Sequence, residues 1–402
     1  QKTTQGAGGR GYLAIPGPSV MPDAVLRAMH RAAPNIYEGE LPDMMEGLTR
    51  DLRAVARTAA HAAIYITNGH GAWEAALANV VAEGETVLGL YNGRFGLGWA
   101  EMAAGLGAQV QPLDFGLKAP VDPARLEAAL RADAGGRIKA VLCTHVDTSS
   151  SVKNDIAAIR AAMDAAGHDA LLMVDCIASL GCDRFEMDEW GVDVMITGCQ
   201  KGLMTPPGMS FVYYNDRAEA ARENANCVTG YWDWRPRTNP DYYYKYFNGT
   251  APTHHLYGLR EALDMIVHEE GITAVWARHE TLARALWAAC DAWSTQGPLE
   301  LNVADIAHRS RAVTSLRITP PLGTALRDHL TDQMGVTLGI GLGMAPPDAP
   351  EWHGFFRVGH MGHVNAHMML GTLGAIDTGL KALNIEHGDG ALSAAAQVLA
   401  GR

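Results

Sequence analysis

The sequence predicts an α/β protein on a mostly parallel sheet of seven strands, with helices on both faces, and three observations carry that prediction. Between residues 60 and 215, short apolar runs alternate with amphipathic stretches of helical length. Strands separated by helices of that length return in the same direction, which makes the sheet parallel. Finally, 402 residues with 48% hydrophobic and 19% charged side chains can bury a large core.

The predicted strands are 63–67, 86–91, 110–115, 140–144, 171–174, 194–197 and 210–214. Helical patterns lie between most of them: "GAWEAALANVVAEG", "VDPARLEAALRAD" with Asp122 and Pro123 as its start signal, and "NDIAAIRAAMDAAGH". One more helix-and-strand unit fits between Asp175 and Lys201. Residues 227–250 change character, with Tyr231, Trp232, Trp234 and a second aromatic group from Tyr242 to Phe247. They read equally as a surface loop with its own apolar cluster or as a contact with a second subunit. A long helical stretch, 256–293, is interrupted at Gly271, and the rest reads as a smaller α/β unit. The expected division is an arm (1–25), a large domain (26–269) and a small C-terminal domain (270–402).

The charge balance, 32 basic against 44 acidic side chains and net −12, excludes a phosphate-binding basic surface, so nucleic acid is not an expected partner. No apolar run is long enough for a membrane span. The opening "QKTTQGAGGRGYLAIPGPS" has no signal-peptide core. Six scattered cysteines read as buried free thiols of a reducing, cytoplasmic compartment.

The chemistry-bearing residues fall at strand ends, where parallel sheets build their sites. "VMITGCQKGLMTPPG" ends an apolar strand on Lys201, either as the strand's exit to solvent or as an amine held in a cavity. In "LLMVDCIASLG", Asp175 ends the preceding strand, as a helix cap or as half of a joint site with Lys201. "ITNGHGAWEAAL" places Asn68, Gly69, His70 and Gly71 where a helix N-terminus can take an anion. Phe95 follows another strand and can stack on a flat ring or join the core. Thr148, Ser149 and Ser150 bring hydroxyls after a further strand end. Arg357 sits in an apolar run and needs a planar anion, by default a protein carboxylate. His353, His360 and His363 match no zinc spacing, and "GIGLGMAPPDAP" lacks the helix a dinucleotide fingerprint requires.

Together these pieces resemble the class V aminotransferases of the alanine–glyoxylate and serine–glyoxylate group, from "IPGPS" to "FRVGHMG"; the stretch "VDCIASLG…MDEWGVDVMITGCQKGLMTPPG" is the most specific. The resemblance implies a fold-type I scaffold with pyridoxal 5′-phosphate, working as a homodimer whose sites borrow partner residues. By matching motif, Lys201 is then the lysine linked to the cofactor aldehyde and Asp175 the partner of its ring nitrogen. Phe95 and Ile177 flank the ring, while Asn68, Gly69, His70 and Gln200 surround phosphate and ring. Ser149 lies near the ring, Thr250 reaches the phosphate of the neighbouring subunit, and Arg357, Gly17 and Ser149 meet the substrate. The implied reaction is ping-pong transfer of an amino group from a small amino acid, such as alanine, serine or aspartate, to glyoxylate or pyruvate; no metal is implied.

There are departures. Phe95 stands where tryptophan is common, Phe247 where tyrosine is, and Ser151 where glycine is. "VDTSSS", "YWDW", "AVWARHE" and "RVGHMG" are closer to the pyridoxamine–pyruvate aminotransferase branch, whereas "NGHG" and Thr250 keep a phosphate-type pocket. A lyase or desulfurase is a further alternative. Those relatives need a histidine before the lysine and a late mobile cysteine; here Gln200 precedes Lys201 and Cys290 is the last cysteine.

Overall fold

Seven strands form the larger sheet in the computed structural model, which describes residues 6–401. In chain order the strands are β1 (Tyr12–Ala14), β2 (His61–Tyr65), β3 (Thr86–Tyr91), β4 (Gln109–Asp114), β5 (Ile138–Thr144), β6 (Leu171–Asp175), β7 (Val194–Gly198), β8 (Ser210–Tyr214), β9 (Glu300–Leu301), β10 (Val313–Arg317), β11 (Val336–Ile340) and β12 (Phe355–Gly359). The larger sheet runs β2-β8-β7-β6-β5-β3-β4. All seven expected strands are present. The central ones are buried on both faces, which explains why they read as unbroken apolar runs. β4 is exposed and carries Pro112, tolerable because it is an edge.

Only β8 runs against its neighbours, β7 and β2. The connection 199–209 is too short for a crossover helix, so the chain turns back as a wide hairpin. Lys201 therefore lies just past the carboxyl end of β7. β6 and β7 are parallel neighbours, with Asp175 opposite Ile196, so the two strand ends open on the same side of the sheet.

The link between them differs from expectation. No helix lies between Asp175 and Val194; the chain passes through a series of turns. Gly181, at φ +80°, reverses the chain where an added Cβ would meet the backbone of Gly202 at 3.1 Å. Ala178, Leu180, Phe185 and Met187 are buried here, so apolar spacing that suits a helix serves a folded turn instead.

The smaller sheet runs β1-β11-β12-β10-β9 and packs on helices Ile272–Trp293 and Ala366–Ala382. Its edge strand β1 comes from the N-terminal segment and pairs in parallel with β11. The expected interruption of the long helix is at Gly271 (φ +85°), between a stretch of wider turns, Asp264–Glu270, and helix Ile272–Trp293.

The aromatic segment divides. Trp234 is buried and stacks on Tyr214 (3.9 Å between centroids, 6° between planes). Buried Arg237 donates to the carbonyls of Ile64, Tyr231 and Tyr246 and lies over the Tyr65 ring. This half belongs to its own chain's sheet edge, whereas Tyr242 and Tyr244 are exposed.

Gly359, at the end of β12, has the carbonyl of Ile15 where a side chain would begin: an added Cβ would lie 2.1 Å from Ile15 O. Gly359→Ala is expected to lower unfolding stability by about 2–3 kcal/mol in chemical denaturation.

Candidate active site

Lys201 is 7% exposed, and its Nζ donates to Thr148 Oγ1 at 3.2 Å. Burial, seconded by the Arg357 guanidinium, lowers its pKa from 10.5 to about 7, although Asp175 and Asp147 pull the other way. Of the two readings of this lysine, the buried one holds. Nζ lies 6.0 Å from the centre of the Phe95 ring. The lysine's stem is covered by Gly17 (φ +97°), where an added Cβ would meet Lys201 Cε at 2.8 Å. Two residues on, the backbone N–H of Ser19 donates to Gln200 O (2.8 Å) and its hydroxyl donates to Lys201 O (2.9 Å). The N-terminal segment thus covers the lysine's stem and holds its backbone.

Asp175 is buried at the end of β6. Its carboxylate accepts from the indole N–H of Trp73 at Oδ2 (2.8 Å) and from the backbone of Ile177 at Oδ1 (2.8 Å). Burial raises its pKa to about 6, against those two hydrogen bonds. Trp73 stands on helix Gly69–Val80, within a turn of Gly69 and His70, and its ring meets Phe95 edge-on and lies 4.6 Å from His70.

That helix begins as the sequence implies. Asn68 is the N-cap, its Oδ1 accepting from Gly71 N (3.2 Å), and Ala72 N makes the first bond back, to Asn68 O. The amides of Gly69 and His70 precede that bond and point outward from the helix end. Asn68 and His70 are exposed, Gly69 is buried, and the His70 pKa is lowered, by burial first and then by Arg94. A side chain at Gly69 would push Ile177 aside, because Ile177 Cδ1 lies 2.3 Å from the Cβ position.

Asp147, not singled out from sequence, organises the opposite wall. It is fully buried. Oδ2 accepts from Phe95 N (3.0 Å) and Gly96 N (2.9 Å), and Oδ1 from Ser149 N (3.0 Å) and Ser149 Oγ (2.6 Å). A carboxylate so placed caps helix Arg94–Gly105 and sets the Phe95 ring. Ser149 also accepts from Arg94 N (2.8 Å), so its hydroxyl is committed to the wall.

Arg357, from β12, has no carboxylate partner among the described residues, contrary to the structural default. It is 5% exposed; Nε donates to Ile340 O (2.6 Å) and Nη1 to Thr148 O (2.8 Å). Burial lowers its pKa to about 10. Thr148 therefore holds the lysine by its side chain and the arginine by its carbonyl. Among the described residues Nη2 has no partner.

Thr250 is not brought to this cleft. It is exposed, just before helix Thr253–Leu263. Gln200 is half-buried beside Gly198, its carbonyl taken by Ser19. The three histidines disperse: His353 bonds Thr324, His360 bonds Thr314 and the Arg311 carbonyl, and His363 is exposed, its pKa lowered chiefly by partial desolvation. Sequence reasoning missed Trp73, Asp147 and Ser19. Each lies inside a stretch already quoted, but its role depends on a partner at least 50 residues away in the chain.

A lysine held near 7 has an accessible neutral amine at pH 8. In protein stripped of small molecules, amine-reagent labelling of Lys201, read by mass spectrometry, should rise through about pH 7 and level off, whereas exposed lysines label only near pH 10. Asp175→Asn removes a negative neighbour and should move the midpoint lower. The sign for stability follows. Between about 7 and 10.5 the unfolded lysine binds more proton than the folded one, so this group's contribution rises with pH across that window.

The family model for class V aminotransferases matches residues 12–359. The chain is 36% identical to the serine–glyoxylate aminotransferase of Methylorubrum extorquens, over 93% of each protein. It superposes on the ureidoglycine–glyoxylate aminotransferase of Bacillus subtilis with a TM-score of 0.84 at 27% identity, covering 98% of each chain. It shares its fold with the pyridoxamine–pyruvate aminotransferase of Mesorhizobium loti (TM-score 0.86, 24% identity, 98% of each chain). With a buried lysine and a buried aspartate at adjacent strand ends, and a family match spanning both sheets, the chain belongs to the class V aminotransferases and is an enzyme of that kind.

Proposed function

We propose that this enzyme binds pyridoxal 5′-phosphate between Phe95 and Ile177 and moves an amino group from a small amino acid to a small 2-oxo acid, glyoxylate or pyruvate. The observation that carries the reading is the pairing of Lys201, lowered to about 7, with Asp175, buried at the next strand end. The donor set suits the cofactor: an amine for its aldehyde, a buried acid for its ring nitrogen, an aromatic face for its ring. The helix end at Asn68–His70 suits its phosphate, and Gly69 leaves room for Ile177 to approach. The turn at Asn68–Gly71 carries no carboxylate, which favours a phosphate-bearing cofactor over an unphosphorylated pyridoxamine substrate.

When bound, the cofactor supplies an amine-reactive aldehyde and a ring that accepts electrons from the substrate's Cα. The chain's own residues do the rest. Asp175, ionised at pH 7, would keep the ring nitrogen protonated, and Trp73 and Ile177 N hold the carboxylate in place. Lys201, whose amine is largely neutral above about pH 7, would be the base that takes and holds the proton from the substrate's Cα. Arg357 Nη2 takes the substrate carboxylate, which turns Cα toward Lys201. Gly17 covers the lysine's stem and limits water.

The desulfurase alternative finds no ready thiolate in the two cysteines nearest to its requirements, the last in the chain and the one packed near the lysine. Cys290 is buried in the smaller sheet's core, and Cys182, packed beside Gly202, is fully buried with its thiol pushed up to about 12. We infer a homodimer in which Thr250 reaches the partner's phosphate site, supported by its exposure beside exposed Tyr242 and Tyr244. Six unpaired cysteines support a cytoplasmic location, and no helix among the described residues is long and apolar enough to cross a membrane.

Borohydride reduction of loaded enzyme should leave the cofactor on the Lys201 peptide by mass spectrometry. Lys201→Ala should lose both that adduct and turnover, by about 10³-fold or more. A screen of amino acids against bound cofactor, read by its colour change, identifies the donor; failure of every donor to convert it to the amine form overturns the reading. Arg357→Lys should raise KM for the carboxylate substrate about 10- to 100-fold while Lys201 stays modified.

A further inference from the structure

Ser151 stands where the family pattern has glycine, and the structure gives the departure a partner. The residue has φ +62°, a left-handed backbone that glycine adopts freely and other residues only under strain. Its hydroxyl crosses to the smaller sheet, where Oγ accepts from the backbone N–H of Ser315 in β10 at 3.0 Å. Ser315 is the direct cross-strand partner of Arg357 in the antiparallel β10–β12 pair. The same turn takes two further bonds from that side of the molecule, Arg357 Nη1 to Thr148 O and Asn302 Nδ2 to Ser150 O (both 2.8 Å). Ser151, Ser315, Ser150 and Arg357 are all buried.

We propose that Ser151 is a positioning residue for the substrate carboxylate: its hydroxyl anchors β10 on the side away from β12, and β10 in turn holds Arg357, directly opposite Ser315, in place beside the lysine. The proposal rests on the reading of Arg357 as the carboxylate's partner. Without Oγ, the amide of Ser315 is a buried donor with nothing to bond. The strand then shifts or admits water, and Arg357, its neighbour in register, moves with it. A guanidinium–carboxylate bond weakens steeply once its alignment is lost. Glycine at 151 relieves the backbone strain but forfeits the bond, whereas alanine forfeits the bond and keeps the strain, so a loss of carboxylate recognition shared by both variants follows the bond and not the strain.

The experiment uses loaded enzyme and two probes that both capture the cofactor aldehyde: aminooxyacetate, which carries a carboxylate, and O-methylhydroxylamine, which does not. The ratio of their capture rates reads the arginine's contribution. Ser151→Gly and Ser151→Ala should each lower that ratio about three- to tenfold, with the O-methylhydroxylamine rate held within about twofold. In protein without cofactor, deuterium exchange of the peptide spanning 313–317 should be faster in both variants by about the same factor. Arg357→Lys serves as the control. If it lowers the ratio and both Ser151 variants keep the wild-type ratio, the proposal is overturned. If Arg357→Lys itself leaves the ratio unchanged, the carboxylate reading fails and takes the proposal with it.

Discussion

Two ionisable groups taken out of water at neighbouring strand ends set the terms for everything around them. A buried amine or a buried carboxylate is costly alone, and each needs either a counter-charge or a shifted pKa. This protein does both. Lys201 falls to about 7 and Asp175 rises to about 6, so near neutrality the pair sits where a small change of surroundings changes its protonation. A parallel pairing of β6 with β7 is what puts the two on one side of the sheet, and the antiparallel return through β8 leaves the lysine at the tip of a wide turn.

The supports around that pair are mostly backbone and buried polar groups from distant parts of the chain. Trp73 and Ile177 N hold the carboxylate, Ser19 holds the lysine's carbonyl, and Asp147 holds the ring opposite. Thr148 joins the lysine to the arginine of the other sheet with one side chain and one carbonyl. The lysine and Arg357 both bond Thr148, without a carboxylate in direct contact with either among the described residues.

Much of this was legible before the fold. Strands buried on both faces announce themselves as apolar runs, and Lys201 and Asp175 stood out as polar residues at the ends of such runs. Arg357 was visible for the same reason. The parts that escaped are those set by tertiary contact. The segment after Asp175 has helical spacing yet folds as turns, because Gly181 and its contact with Gly202 decide the path. β1 belongs to the smaller sheet, a pairing with β11 across more than 300 residues that no local pattern encodes. Trp73 and Asp147 look like ordinary core and cap residues until their partners arrive. Thr250 is exposed in the single chain, and the part proposed for it needs a second one.

The path of residues 12 to 19 has a mechanical consequence. β1 is stitched to β11, and a few residues later the same segment presses on the stem of Lys201 and grips its carbonyl. A short, taut piece of chain thus ties the smaller sheet to the reactive amine. A movement of that sheet would act on the lysine as well as on the arginine, so in the proposed reaction the grip on the substrate and the aim of the base would share one tether.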